Sequence, residues 1–133
     1  MFLEMLNENE QKTFMELAYL AVTIDGAISQ EEEDVLKSYA YECKLQDYKY
    51  QGKTLEACLE ELRESSRAHR KIILLELIGV WAADNEWKDA ELEMMDKVAK
   101  GLAIPDSRKN RLKRWSQELR SLIADGYGLI TED

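Results

Sequence analysis

A short acidic pattern, set each time between two apolar helical runs, constrains the fold of this chain more than any other feature. Ile24-Asp25-Gly26-Ala27-Ile28-Ser29-Gln30-Glu31-Glu32 returns 59 residues later as Ala83-Asp84-Asn85-Glu86-Trp87-Lys88-Asp89-Ala90-Glu91. Other positions keep that register: Ala21 with Val80, Ile28 with Trp87, Leu36 with Met95, Ala40 with Ala99, Leu45 with Ile104. Such self-similarity points to two supersecondary units that bury their apolar faces against each other.

The units are helical, because apolar residues recur at helical spacing and no period-two strand stands out. The spacing predicts a first helix over Asn9 to Ile24, with Phe14, Leu17, Ala18, Ala21 and Ile24 facing inward. Gly26 accepts the left-handed conformation that ends a helix, and Asn85 is the next best residue for the same slot. A second helix starts at Ser29 with Val35, Leu36, Tyr39, Ala40 and Cys43 on one side, and its counterpart runs from Asp89 to Leu102. A third starts at Thr54 with Leu55, Cys58, Leu59 and Leu62. Pro105-Asp106 stops and restarts the chain before a stripe of Leu112, Trp115, Leu119, Leu122 and Ile123, which Gly126 ends. The expected architecture is all-α: one domain over 1–133, a compact bundle of two three-helix halves (9–64 and 67–125), with 127–133 as a tail.

With 133 residues, 45% hydrophobic and 34% charged, the chain can bury a core without staples and is not a disordered one. A net charge of −9 argues against general nucleic-acid affinity and favours cations or basic partners. Cys43 and Cys58 lack CxxC spacing and read as buried, reduced thiols of a cytoplasmic protein. No signal peptide is expected at Met1 to Leu6. The longest apolar run, Ile72 to Ala83, is broken by Glu76 and is too short to span a bilayer.

Each acid of the doubled pattern has two readings. Asp25 falls at a helix end, where exposed carbonyls disfavour negative charge, so either an Asx-turn or a bound cation must compensate. Glu32 completes a capping box with Ser29, or it joins Asp25 around a divalent ion. In the second copy Lys88 stands in the Ser29 position and offers no acceptor, so a reciprocal box cannot form around Glu91. Turn and cap roles stand first, with Asp25, Glu32, Asp84 and Glu91 as the candidate metal ligands. The spacing is not that of an EF-hand, since Gly26 directly follows Asp25 and the ladder of ligands is missing.

The run from Leu17 through Asp25, Gly26, Ile28 and Ser29 to Glu32, Val35 and Leu36 resembles the TerB-like family, which includes tellurite-resistance proteins and a domain of membrane-anchored DnaJ-type co-chaperones. Asp84, Trp87 and Glu91 match the same motif more loosely, with departures at Asn85 and Lys88. The resemblance covers about Asn9 to Leu122. It implies an all-helical bundle with internal pseudo-symmetry, acidic residues that hold a divalent metal, and a stress-associated, membrane-proximal role in protein contacts rather than a reaction.

Other chemistry has less support. His69, the only histidine, lies in a polar stretch with no nucleophile nearby, and reads as a helix-surface residue. Phosphate loops, organic-cofactor fingerprints and zinc-type clusters are absent from the sequence. Two alternatives remain: a metal-dependent hydrolase using the same carboxylates, and a partner or anionic-lipid adaptor built on Arg108, Lys109, Arg111, Lys113, Arg114 and Arg120 of the last helix.

Overall fold

The computed structural model describes residues 1–24, 26–82 and 87–132. Within them the chain forms a 3-10 turn (Leu3–Met5) and six helices: α1 (Glu8–Thr23), α2 (Gln30–Glu42), α3 (Leu55–Glu61), α4 (Arg67–Trp81), α5 (Asp89–Gly101) and α6 (Asp106–Thr131). No strand occurs among the described residues. The protein is an all-helical bundle.

Side-chain caps set most helix starts. Asn7 and Glu10 form a reciprocal box at α1, with Glu10 N–H on Asn7 Oδ1 at 2.8 Å and Asn7 N–H on Glu10 Oε1 at 2.9 Å. Thr54 caps α3, and Ser66 caps α4 through the His69 N–H. Gly26 takes a positive φ of 90° after α1, as a helix-ending glycine should. The ends of α2 and α5 are alike in a way the residue types do not announce. Lys44 (φ 58°) and Ala103 (φ 57°) both turn left-handed, and the next residues bond back over a whole turn, Leu45 N–H to Ala40 and Ile104 N–H to Ala99, each at 2.8 Å. This closure satisfies carbonyls that a helix end leaves open, and it places an apolar side chain against the last turn.

Helices α1 and α4 form the centre and run parallel. Glu10 meets His69 near their starts, and the Trp81 indole N–H reaches the Ala21 carbonyl at 3.4 Å near their ends. Phe14, Leu17, Ala18 and Ala21 are fully buried on α1, and Ile73, Leu74, Leu77 and Ile78 on α4. Each large side chain so buried contributes about 1.5–3 kcal/mol of transfer free energy. α2 and α3 pack on α1, and α5 and α6 pack on α4. Cys43 and Cys58 are free and buried.

The last helix is longer than the position of Gly126 predicts. It continues without a break through Gly126 and Gly128 to Thr131, about 39 Å in all. Glycine permits a left-handed exit but does not impose one. Here no neighbouring apolar surface is present to close a terminating motif, since a Cβ on either glycine would meet nothing within 4 Å. The segment expected to be a loose tail is the exposed end of a helix. No described helix is long and apolar enough to cross a membrane.

Candidate functional site

Because α1 and α4 run parallel, the segments that follow them leave from the same end of the bundle, and α2 and α5 begin there. Glu32 and Glu91 are both buried at those helix starts. Ser29 N–H donates to Glu32 Oε1 at 3.0 Å and Ser29 Oγ accepts the Glu32 N–H at 3.1 Å, the full box expected of the first copy. In the second copy Lys88 forms no side-chain cap, yet its N–H donates to Glu91 Oε1 at 3.0 Å. Glu91 thus performs half of the box alone, a structural duty the Lys88 substitution does not suggest. Asp25 and Asp84, the other two candidate ligands, lie outside the described residues, as does Asn85. Among the described residues no three His, Cys, Asp or Glu side chains converge as a metal would require.

A second cluster lies at the opposite end, around the starts of α1 and α4. A cavity of about 770 Å³ opens between them, α3 and residues 48–53. His69 is not an isolated surface residue: its Nδ1 lies 2.9 Å from Glu10 Oε1. Burial works against the Glu10 charge, but the Ser65 hydroxyl, the Asn7 N–H and His69 together hold its carboxyl below the ordinary range. Across the cavity Lys53 Nζ bonds Glu61 at 2.6 Å and the Thr13 hydroxyl donates to the same carboxylate at 2.7 Å; Lys53 first, then Thr13, lowers its pKa. A carboxylate that orients an imidazole is half of an acid–base device, but among the described residues no hydroxyl or thiol forms a hydrogen bond with the ring. The Glu10–His69 spacing is again 59 residues, so the repeat register carried a signal for this pair that composition did not.

The third feature is the surface of α6. Leu112 packs on the core, but along the helix the apolar stripe runs out of the bundle. Leu122 is 68% exposed, Leu129 77% and Ile130 80%, with Ile123 and Tyr127 exposed beside them. Leu112, Trp115, Leu119, Leu122, Gly126 and Leu129 follow a heptad, the spacing of a seam that meets another helix. Trp115 rests against Phe2, with ring centroids 6.1 Å apart, and Lys113 lies over the Trp87 ring at 4.7 Å.

These features define an all-helical domain with an acidic end, a polar cavity at the other end and one helix whose apolar face is left uncovered. Compared with family models, with characterised proteins and with solved structures, the chain finds no match.

Proposed function

We propose that the protein is a non-enzymatic, TerB-like interaction module of the stress and tellurite-resistance type, and that α6 is its docking surface. The exposed heptad stripe carries this reading, because a highly charged chain rarely leaves six large apolar side chains of one helix in water without a partner. The occupant we assign is an amphipathic helix of another protein with acidic flanks. Arg108 falls in line with the stripe and Arg111 flanks it, so charge complementarity selects an acidic helix. A second copy would bring another basic α6 and another net charge of −9.

The test is calorimetric titration with a Leu/Glu amphipathic peptide and with its Leu/Lys counterpart. The Leu/Glu peptide should bind, weaken with salt, and lose affinity in the Leu122→Glu, Ile130→Glu double variant, both sites being exposed. Equal binding of the two peptides, no binding, concentration-dependent dimerisation through α6, or binding to anionic vesicles in place of the peptide would overturn this assignment.

The same reading includes a divalent cation at Asp25, Glu32, Asp84 and Glu91. The described residues alone do not suffice for one: Glu32 and Glu91 each already accept a backbone N–H, whereas hard divalent ions take about six oxygens or more. Support comes from the shared end at which both glutamates are buried. Ca²⁺, Mg²⁺, Mn²⁺ or Zn²⁺ should raise the melting temperature, and Asp25→Asn with Glu32→Gln should abolish the rise. An unchanged melting temperature across the series would leave these acids as cap and turn residues.

A further inference from the structure

We propose that the cavity between the first turns of α4 and α6 is a binding site for a phosphate group. This cavity, of about 480 Å³, lies apart from the acidic end and includes none of the exposed apolar side chains of α6. Arg67, Arg70 and Lys71 of α4 and Arg108 of α6 line it, and no carboxylate of the described residues does. In a chain with 27 acids and 18 bases, four cations that meet without an acid among them are a departure from the composition. None of the four makes an ion pair among the described residues.

Two further observations bear on the cluster. Arg70 is held in place by its Nη1, which donates to the Leu102 carbonyl at 3.0 Å, while its buried Nε has no hydrogen-bond partner. A guanidinium fixed at one corner presents its remaining N–H groups in a set orientation to an oxygen acceptor. The α6 start contributes the second. Pro105 occupies its cap position and provides no side-chain acceptor, so the N–H groups of the first turn, including Ser107 and Arg108, lack the cap that α1, α2, α3 and α4 possess. Those N–H groups and the helix dipole favour an anion at the mouth of the same cavity.

The chemistry selects a phosphomonoester. A carboxylate would neutralise one of the four cations, whereas a phosphate dianion offers three terminal oxygens to guanidinium forks and backbone N–H groups together. The shared chemistry is the terminal phosphate, whether free in solution or on a lipid headgroup.

The experiment is an amide-resolved NMR titration of the full chain with inorganic phosphate at constant ionic strength, alongside flotation with phosphatidylcholine vesicles containing phosphatidic acid. Phosphate should shift the amides of Arg67, Ser107 and Arg108 saturably. Arg67→Gln with Arg108→Gln should weaken binding by about a hundredfold, if each lost charge-assisted bond accounts for about tenfold. Arg63→Gln, on an exposed arginine outside the cavity, should leave it unchanged. Vesicle binding without free-phosphate binding, lost in the same double variant, assigns the site to a lipid phosphate. Shifts matched by chloride, binding that survives the double variant, or no response in either arm would overturn the proposal. Arg70 is left intact in this test because its bond to Leu102 also supports the end of α5.

Discussion

Replacing Glu16 by Gln should cost more than any exposed charge substitution in this protein, although the side chain differs by one atom. Glu16 is 2% exposed in the middle of α1. Its carboxylate accepts the Tyr48 hydroxyl at 2.5 Å, the Gln51 N–H at 2.9 Å and the Lys53 N–H at 3.1 Å. It thereby pins the whole irregular connection between α2 and α3 to the central helix. A carboxamide keeps an acceptor for one side of this set but turns an NH₂ toward the other, leaving at least one backbone N–H unsatisfied. The loss of charge weakens the surviving bonds, and an orphaned buried N–H costs about 1–3 kcal/mol, so the sum comes to about 2–4 kcal/mol. Against a typical stability of about 5–15 kcal/mol this is a large fraction, and it lowers the melting temperature by about 10 °C. Urea unfolding followed by far-UV circular dichroism measures the first quantity, and a thermal scan the second. Exposed Glu64→Gln is the control, expected within about 0.5 kcal/mol of wild type. The effect has a pH signature. Burial opposes the Glu16 charge, but the Tyr48 hydroxyl and then the two N–H groups hold its folded pKa below the unfolded value. Its stabilisation is therefore complete above the unfolded pKa of about 4.3 and disappears as pH falls through the lower folded pKa. The gap between wild type and Glu16→Gln should narrow only in that acidic window. A loss below about 1 kcal/mol at neutral pH would refute the claim that this carboxylate anchors the connection.

The two N-caps of the doubled pattern should respond in opposite directions. Ser29→Ala removes the Glu32 N–H acceptor and should cost about 1 kcal/mol, while Lys88→Ser supplies one at α5 and should stabilise by about 0.5–1 kcal/mol in denaturant titrations. Equal and opposite failure, with Lys88→Ser destabilising, would mean that Lys88 matters for something other than the cap. The thiols of Cys43 and Cys58 should resist alkylation until the protein unfolds. Burial first and then nearby glutamates push each up to about 11, leaving about one thiolate in ten thousand at neutral pH. Modification in the native state at the rate of a free thiol, read by mass spectrometry, would contradict their burial.

Much of the helical skeleton was legible because it rests on local rules. Ser29 and Thr54 cap where S/T patterns say they should, and Gly26 turns left-handed as a helix-ending glycine does. Three things were not legible, each for a non-local reason. The left-handed residues that end α2 and α5 are Lys44 and Ala103, where packing of Leu45 and Ile104 overrides the intrinsic preference. Gly126 lies in a helix that no tertiary contact ends. The buried glutamates were the largest gap. The sequence pattern assigned no role to Glu10, Glu16 or Glu76, but each grips a segment distant in sequence. Glu10 pairs with His69, Glu16 holds residues 48–53, and Glu76 accepts the Phe2 N–H at 2.8 Å. A lone acid within an apolar run, as Glu76 is between Leu75 and Leu77, was the one available signal.

This reassignment of acids changes what the net charge of −9 means. Glu10, Glu16, Glu32, Glu76 and Glu91 are buried and committed to backbone N–H groups, so they act as parts of the fold and only weakly as surface field. The bases are distributed in the opposite manner. α6 carries six Lys and Arg against three acids, and the first turn of α4 adds three more cations facing its start. At physiological salt the screening length is about 8 Å, so a ligand entering that cavity is governed by the four cations around it and hardly by the acidic end. A net charge of −9 works against long polyanions, which extend over much of a surface. It does not exclude a single phosphate. The sign of a chain and the sign of one of its cavities are separate quantities, and between α4 and α6 of this protein they are opposite.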